Sequence, residues 1–135
     1  MRLHPVLYFR YVLPAILCVV LLAACKKGPG EGGSSTIKGK VTATYIDVFG
    51  NEYKYPAERE DVYIVYGDGD FYGDNVETDF NGTYEFTYLK KGSYTVYAYS
   101  DCDTCINEHD VAELKKVEIT KNKSDVSADI NIIKR

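Results

Sequence analysis

Residues 78–99 read T-D-F-N-G-T-Y-E-F-T-Y-L-K-K-G-S-Y-T-V-Y-A-Y. Two alternating runs, Tyr84/Phe86/Tyr88 and Tyr94/Val96/Ala98, place apolar side chains on one face of an extended strand. Between them Leu89-Lys90-Lys91-Gly92-Ser93 is a short loop with glycine where the chain reverses. In front, Asp79-Phe80-Asn81-Gly82 is a turn: Asp bonds nearby backbone and Asn-Gly supplies positive φ. A hairpin preceded by a tight turn is therefore expected here.

Upstream, Thr36 to Tyr45 alternates, with Ile37, Gly39, Val41, Ala43 and Tyr45 opposite Lys38, Lys40, Thr42 and Thr44, a half-buried first strand. Residues 47–61 are polar, contain Gly50-Asn51 and Pro56, and are expected to be a connection. Val62 to Tyr66 is a short apolar run, more in keeping with a central strand than a helix. The loop G-D-G-D-F-Y-G-D-N (67–75) leads to a brief strand at 76–79. Downstream, an acidic loop at 100–110 precedes Ala112 to Thr120, read as strand from its alternating second half. Val126, Ala128, Ile130 and Ile132 mark a last strand. Seven short strands without a helix imply an all-β, seven-stranded antiparallel β-sandwich, since parallel pairing needs long crossovers.

The chain has 135 residues and a net charge of −4. Arg2 and Arg10 precede an apolar run, residues 11–24, too short to span a bilayer comfortably. The run ends Leu22-Ala23-Ala24-Cys25, which resembles the lipobox of bacterial lipoprotein signal peptides. The resemblance implies cleavage before Cys25, lipidation of that cysteine, and anchoring to a membrane through the N-terminal lipid. The expected division is a signal peptide over 1–24, a lipidated cysteine and flexible linker over 25–35, and one domain over 36–135. Lys26 after the cysteine departs from the aspartate-type inner-membrane retention signal, so an outer-membrane lipoprotein facing periplasm or cell surface is expected. Cleavage lowers Lys plus Arg from 16 to 14 against 20 Asp plus Glu, a net charge of −6. Such a balance argues against nucleic acid as a partner.

The motif Thr78-Asp79-x-Asn81-Gly82-x-Tyr84-x-Phe86, followed by Leu89, Gly92, Tyr94 and Val96, resembles the carboxypeptidase-regulatory-like domain. That family is a transthyretin-like (prealbumin-like) Greek-key β-sandwich related to collagen-adhesin B-type repeats, and a stand-alone copy behind a lipobox is similar to small lipoproteins of Bacteroidetes. The resemblance implies an accessory module without shared catalytic residues.

Four groups of residues could carry chemistry. Asp68, Asp70, Asp74 and Asp79, with Gly73 among them, are spaced like ligands of a calcium loop. The alternative is a solvated acidic turn, because Tyr72 takes a ligand position and the last acid is not Glu. Cys102 and Cys105 suit a local disulfide in an oxidising compartment. Free or metal-bound thiols are the other reading. Tyr97 and Tyr99, joined by Tyr63, lie on the outer face of their strands and could stack on sugar rings or a partner, or simply stabilise the sheet. Related adhesin repeats cross-link a first-strand Lys to a last-strand Asn; Lys38, Glu85 and Asn131 are the nominal set, on polar faces unsuited to it. His109 is the only histidine beyond the signal segment, and no nucleophile is paired with a base. These features imply an envelope lipoprotein presenting a non-catalytic interaction or structural module. The alternative is a carbohydrate- or peptide-binding lipoprotein, its partner a glycan or another envelope protein. A thiol-redox or hydrolytic enzyme fits least.

Overall fold

The computed structural model describes residues 28–102 and 110–135. Among them the chain forms nine strands and no helix. In order they are β1 (Glu31–Ile46), β2 (Glu52–Pro56), β3 (Asp61–Tyr66), β4 (Asp74–Glu77), β5 (Thr83–Leu89), β6 (Gly92–Ser100), β7 (Val111–Ile119), β8 (Asp125–Ser127) and β9 (Ile130–Lys134).

Strand β1 is the axis of the first sheet. Lys38 lies between Glu85 of β5 and Ser127 of β8, and Thr44 lies between Lys54 of β2 and Ile133 of β9. The second sheet runs β4-β3-β6-β7, antiparallel throughout. Alternation puts Ile37, Val41, Ala43, Tyr84, Phe86, Ile130 and Ile132 of one sheet against Val62, Ile64, Tyr94, Val96, Ala98, Val117 and Ile119 of the other, in a single core. Each fully buried aliphatic side chain there contributes about 1.5–3 kcal/mol. The two-sheet β-sandwich expected from the alternation is what the residues build.

Four details differ from expectation. First, β2 is an extra strand inside the polar stretch 47–61; its five side chains are all exposed, so no burial pattern announces it. Second, the last strand is broken in two. The carboxylate of Asp129 accepts from the backbone N–H of Lys40 (2.9 Å), replacing a ladder bond where β8 gives way to β9. Third, β8 and β9 run parallel to β1, so the fold is not purely antiparallel. The crossover a parallel pair requires is supplied by the whole intervening chain rather than by a local loop. Fourth, β1 begins at Glu31, within the stretch read as linker. Gly30 is held to the body: its N–H donates to Tyr94 Oη (3.0 Å), and its carbonyl accepts from Lys90 N (2.9 Å). Gly92, at φ +147°, leaves room for Pro29; a Cβ there would come within 2.7 Å of the proline ring.

Tyr88 does not continue the inward row of β5. Its backbone turns to φ +57°, the ring is 72% exposed, and Leu89 is buried in its place. Residue Ala112 onward, with its helix-like first half, is strand, paired along its length to β6.

Candidate binding face

Alternation that buries Val62 and Ile64 of β3 and Val96 and Ala98 of β6 turns Tyr63, Tyr97 and Tyr99 to the outer face of the second sheet. Register sets Tyr63 directly across from Tyr97, and the two rings stack at 5.0 Å and 16°. Tyr99 meets both edge-on, at 5.7 Å from each. Edge-to-face and offset pairs of this kind are favourable by about 0.5–1.5 kcal/mol beyond burial.

A fourth ring, missed in the sequence, completes the shelf. Tyr72, in the loop between β3 and β4, packs edge-on against Tyr63 at 5.0 Å. The loop is pinned at both ends, by Gly67 N–H to Ser93 O (2.9 Å) and Gly73 N–H to Ile64 O (2.8 Å). Gly73 is required there, because a Cβ would lie 2.4 Å from the Tyr66 ring. An aromatic pair, Phe71-Tyr72, inside a loop otherwise of glycine and acid was the available signal. Burial pushes the phenols of Tyr63 and Tyr97 above their ordinary range.

Beside the shelf is an open groove of about 580 Å³, lined by Val65, Thr95, Leu114, Lys116, Asp68 and Glu118. Val65 and Thr95 are the row next to Tyr63 and Tyr97 on the same face, and Leu114 lies across from Tyr97. Leu114 is 64% exposed and borders shelf and groove alike.

The aspartates expected to gather do not. Asp79 is committed to its own turn, its carboxylate accepting from Asn81 N (2.8 Å), Thr83 N (2.8 Å) and Thr83 Oγ1 (2.7 Å). These bonds hold its carboxyl below the usual range, the Thr83 hydroxyl most strongly. Asp74 accepts from Asn75 N (2.9 Å), and Asp68 and Asp70 are exposed. Among the described residues no three His, Cys, Asp or Glu side chains form a metal-ligating group. Cys102, two residues past β6, is disulfide-bonded. Cys105, His109 and Cys25 lie outside the described residues. Lys38 Nζ pairs with Asp125 at 2.7 Å, while Asn131 sits opposite Thr42, four residues along β1 from Lys38.

A second apolar surface lies at the tip of the β1–β2 hairpin. Val48 and Phe49 are 93% and 87% exposed there. Asp47 makes that turn rigid, accepting from the backbone of Phe49 and of Asn51 at 2.9 Å each.

The comparisons with known proteins bear on the fold. No family model matches the chain, and no curated protein matches its sequence. Among solved structures it is similar to a proposed carbohydrate-binding protein of Pseudomonas aeruginosa, with a TM-score of 0.52 and 14% identity over 82% of this chain and 93% of the other. It is also aligned with a DUF3823 family protein of Parabacteroides merdae, with a TM-score of 0.39 and 16% identity over 73% of this chain and 46% of the other. At such identity the first likeness speaks for a shared two-sheet β architecture.

Proposed function

We propose that the chain is a non-catalytic carbohydrate-binding module of a bacterial cell envelope, anchored through a lipid on Cys25 and taking its ligand on the tyrosine face. The observation that carries this reading is the outward cluster of Tyr63, Tyr72, Tyr97 and Tyr99 beside a polar groove. A pyranose ring has a flat face of C–H groups and a rim of hydroxyls. The exposed rings of Tyr72 and Tyr99, packed against the Tyr63/Tyr97 stack, receive the first, and phenol, hydroxyl and charged groups at the border receive the second.

The carboxypeptidase-regulatory-like resemblance supports the accessory-module reading, because its motif residues have structural work. Thr78 Oγ1, buried, donates to Ala57 O (2.5 Å) and accepts from Glu60 N (2.9 Å), and Asp79 closes the turn. Neither is left over for catalysis. A disulfide joining Cys102 to Cys105 is part of the same proposal and pins the loop after β6.

The test is binding of the purified chain to a glycan array, followed by calorimetry on the hits. Tyr97→Ala combined with Tyr99→Ala is expected to abolish binding while leaving the circular dichroism of the sandwich unchanged. Retained affinity in the folded double variant removes this face from the reading.

A further inference from the structure

The shelf and the groove are two compartments of one surface, and their chemistry narrows the ligand. Successive same-face rows of a strand are about 6.6–7 Å apart. The row Val65/Thr95 therefore begins roughly one sugar ring away from the row Tyr63/Tyr97. Leu114 is the common border, and the β3–β4 loop edges both parts, through Tyr72 at the shelf and Asp68 at the groove. A ring seated on the tyrosines leaves its neighbour over Thr95.

Charge decides the rest. Asp68 and Glu118 line the groove against one cation, Lys116. Asp61 lies two residues before Tyr63 on the same face of β3, whereas Glu60 is neutralised by Lys134 at 3.0 Å. None of the four ion pairs among the described residues uses Asp61, Asp68, Lys116 or Glu118. A carboxylate or sulfate on the ligand meets a surplus of negative groups, which costs free energy and slows encounter.

A peptide is the less suitable guest. The tyrosine shelf lies over β3 and β6, the two inner strands of the sheet, so an extended backbone seated on it finds no free strand edge there. Its N–H and C=O groups would lose water without a ladder to join. Sugar hydroxyls, each donor and acceptor at once, suffer no such loss against mixed side chains.

We infer that the face takes an uncharged oligosaccharide of at least two residues, one ring on the tyrosine shelf, where Tyr72 and Tyr99 are exposed, and the next in the groove bordered by Leu114 and Thr95. This rests on the carbohydrate reading above and deepens it. The chain has thirteen tyrosines and no tryptophan, so the part of a ligand-induced change in tyrosine fluorescence that Tyr97→Ala with Tyr99→Ala removes reports occupancy of the shelf.

The experiment titrates the full chain with a neutral monosaccharide and its di- to hexasaccharides, with a polyuronate of matching linkage, and with a Lys/Arg-rich peptide. Affinity is expected to rise about tenfold or more from the monosaccharide to the di- or trisaccharide. The polyuronate is expected to bind about tenfold more weakly than the neutral chain at low salt, the gap narrowing as salt screens the carboxylates. Leu114→Ala, at an exposed position, is expected to erase the gain with length. Asp68→Asn with Glu118→Gln is expected to admit the polyuronate. Equal binding of polyuronate and neutral chain, or no gain with length, overturns the inference and leaves the carbohydrate reading standing. Preference for the basic peptide, or no glycan binding at all, overturns both.

Discussion

At the scale of single residues, Tyr94 shows how a polar atom in the core can be worth its place. Its ring is 1% exposed, and its hydroxyl donates to Lys90 O (2.6 Å) while accepting from Gly30 N (3.0 Å). Tyr94→Phe keeps the apolar bulk and orphans the Gly30 N–H, so a loss of about 1–2 kcal/mol is expected in urea unfolding. Faster amide exchange at Gly30 should accompany it. Asp79 offers a test with a sign. Its folded carboxyl titrates below the ordinary 3.8, so its contribution is present above pH 3.8 and is lost as pH falls through the lower folded value. Asp79→Asn is therefore expected to destabilise the chain at neutral pH, with the difference from the parent shrinking in acid melts. A constant gap from pH 7 to pH 2 would contradict this. The sequence disclosed both residues, one as core and one as a turn former. It did not disclose Tyr88, because a left-handed tyrosine is imposed by the need to bury Leu89 rather than by any local preference.

At the scale of elements, the inner residues of β3, β5, β6 and β9 were legible, since one buried face writes a period of two into the sequence. Strand β2 was not, because it buries neither face and is held through its ladder to β1 alone. The strand tyrosines of the shelf, Tyr63, Tyr97 and Tyr99, were legible for the same reason as the core, being the other phase of the same alternation, whereas Tyr72, on a loop, was not. The groove beside it was not, being made by the β6–β7 register and a loop that returns over the sheet. Close approach also hides from local reading; Gly39 is needed because a Cβ would stand 2.1 Å from Ala128 O. The pairing of β9 to β1 carries a firm expectation. Ending the chain at Asp129 removes Ile130 and Ile132, both buried, and strips the ladder from Val41 to Tyr45. At about 1.5–3 kcal/mol per buried side chain, this approaches the stability of a small domain. Such a chain is expected to give the narrow amide dispersion of an unfolded protein in its NMR spectrum; a native-like spectrum would deny β9 that role.

At the scale of the molecule, the N-terminal approach and the β1–β2 tip are at opposite ends of β1, whose 16 residues extend roughly 50 Å at about 3.3 Å each. Pro29 and Gly30 are already fastened to the body, leaving three residues between them and Cys25. An anchor at Cys25 would hold the base of the sandwich close to a bilayer and turn Val48 and Phe49 outward. Metabolic labelling with a radioactive fatty acid is expected to mark the chain in the membrane fraction. Cys25→Ala should abolish the label and release the protein to the soluble fraction. Persistent labelling of that variant would refute the anchor.

The parallel seat of β8 and β9 against β1 has a consequence for how the protein is made. The first strand to leave the ribosome waits, with one flank open, until residues 125–134 have been translated. Nothing upstream can complete that sheet in their absence. A nascent chain whose first sheet stays open until those residues emerge is also one that a translocation channel can still thread.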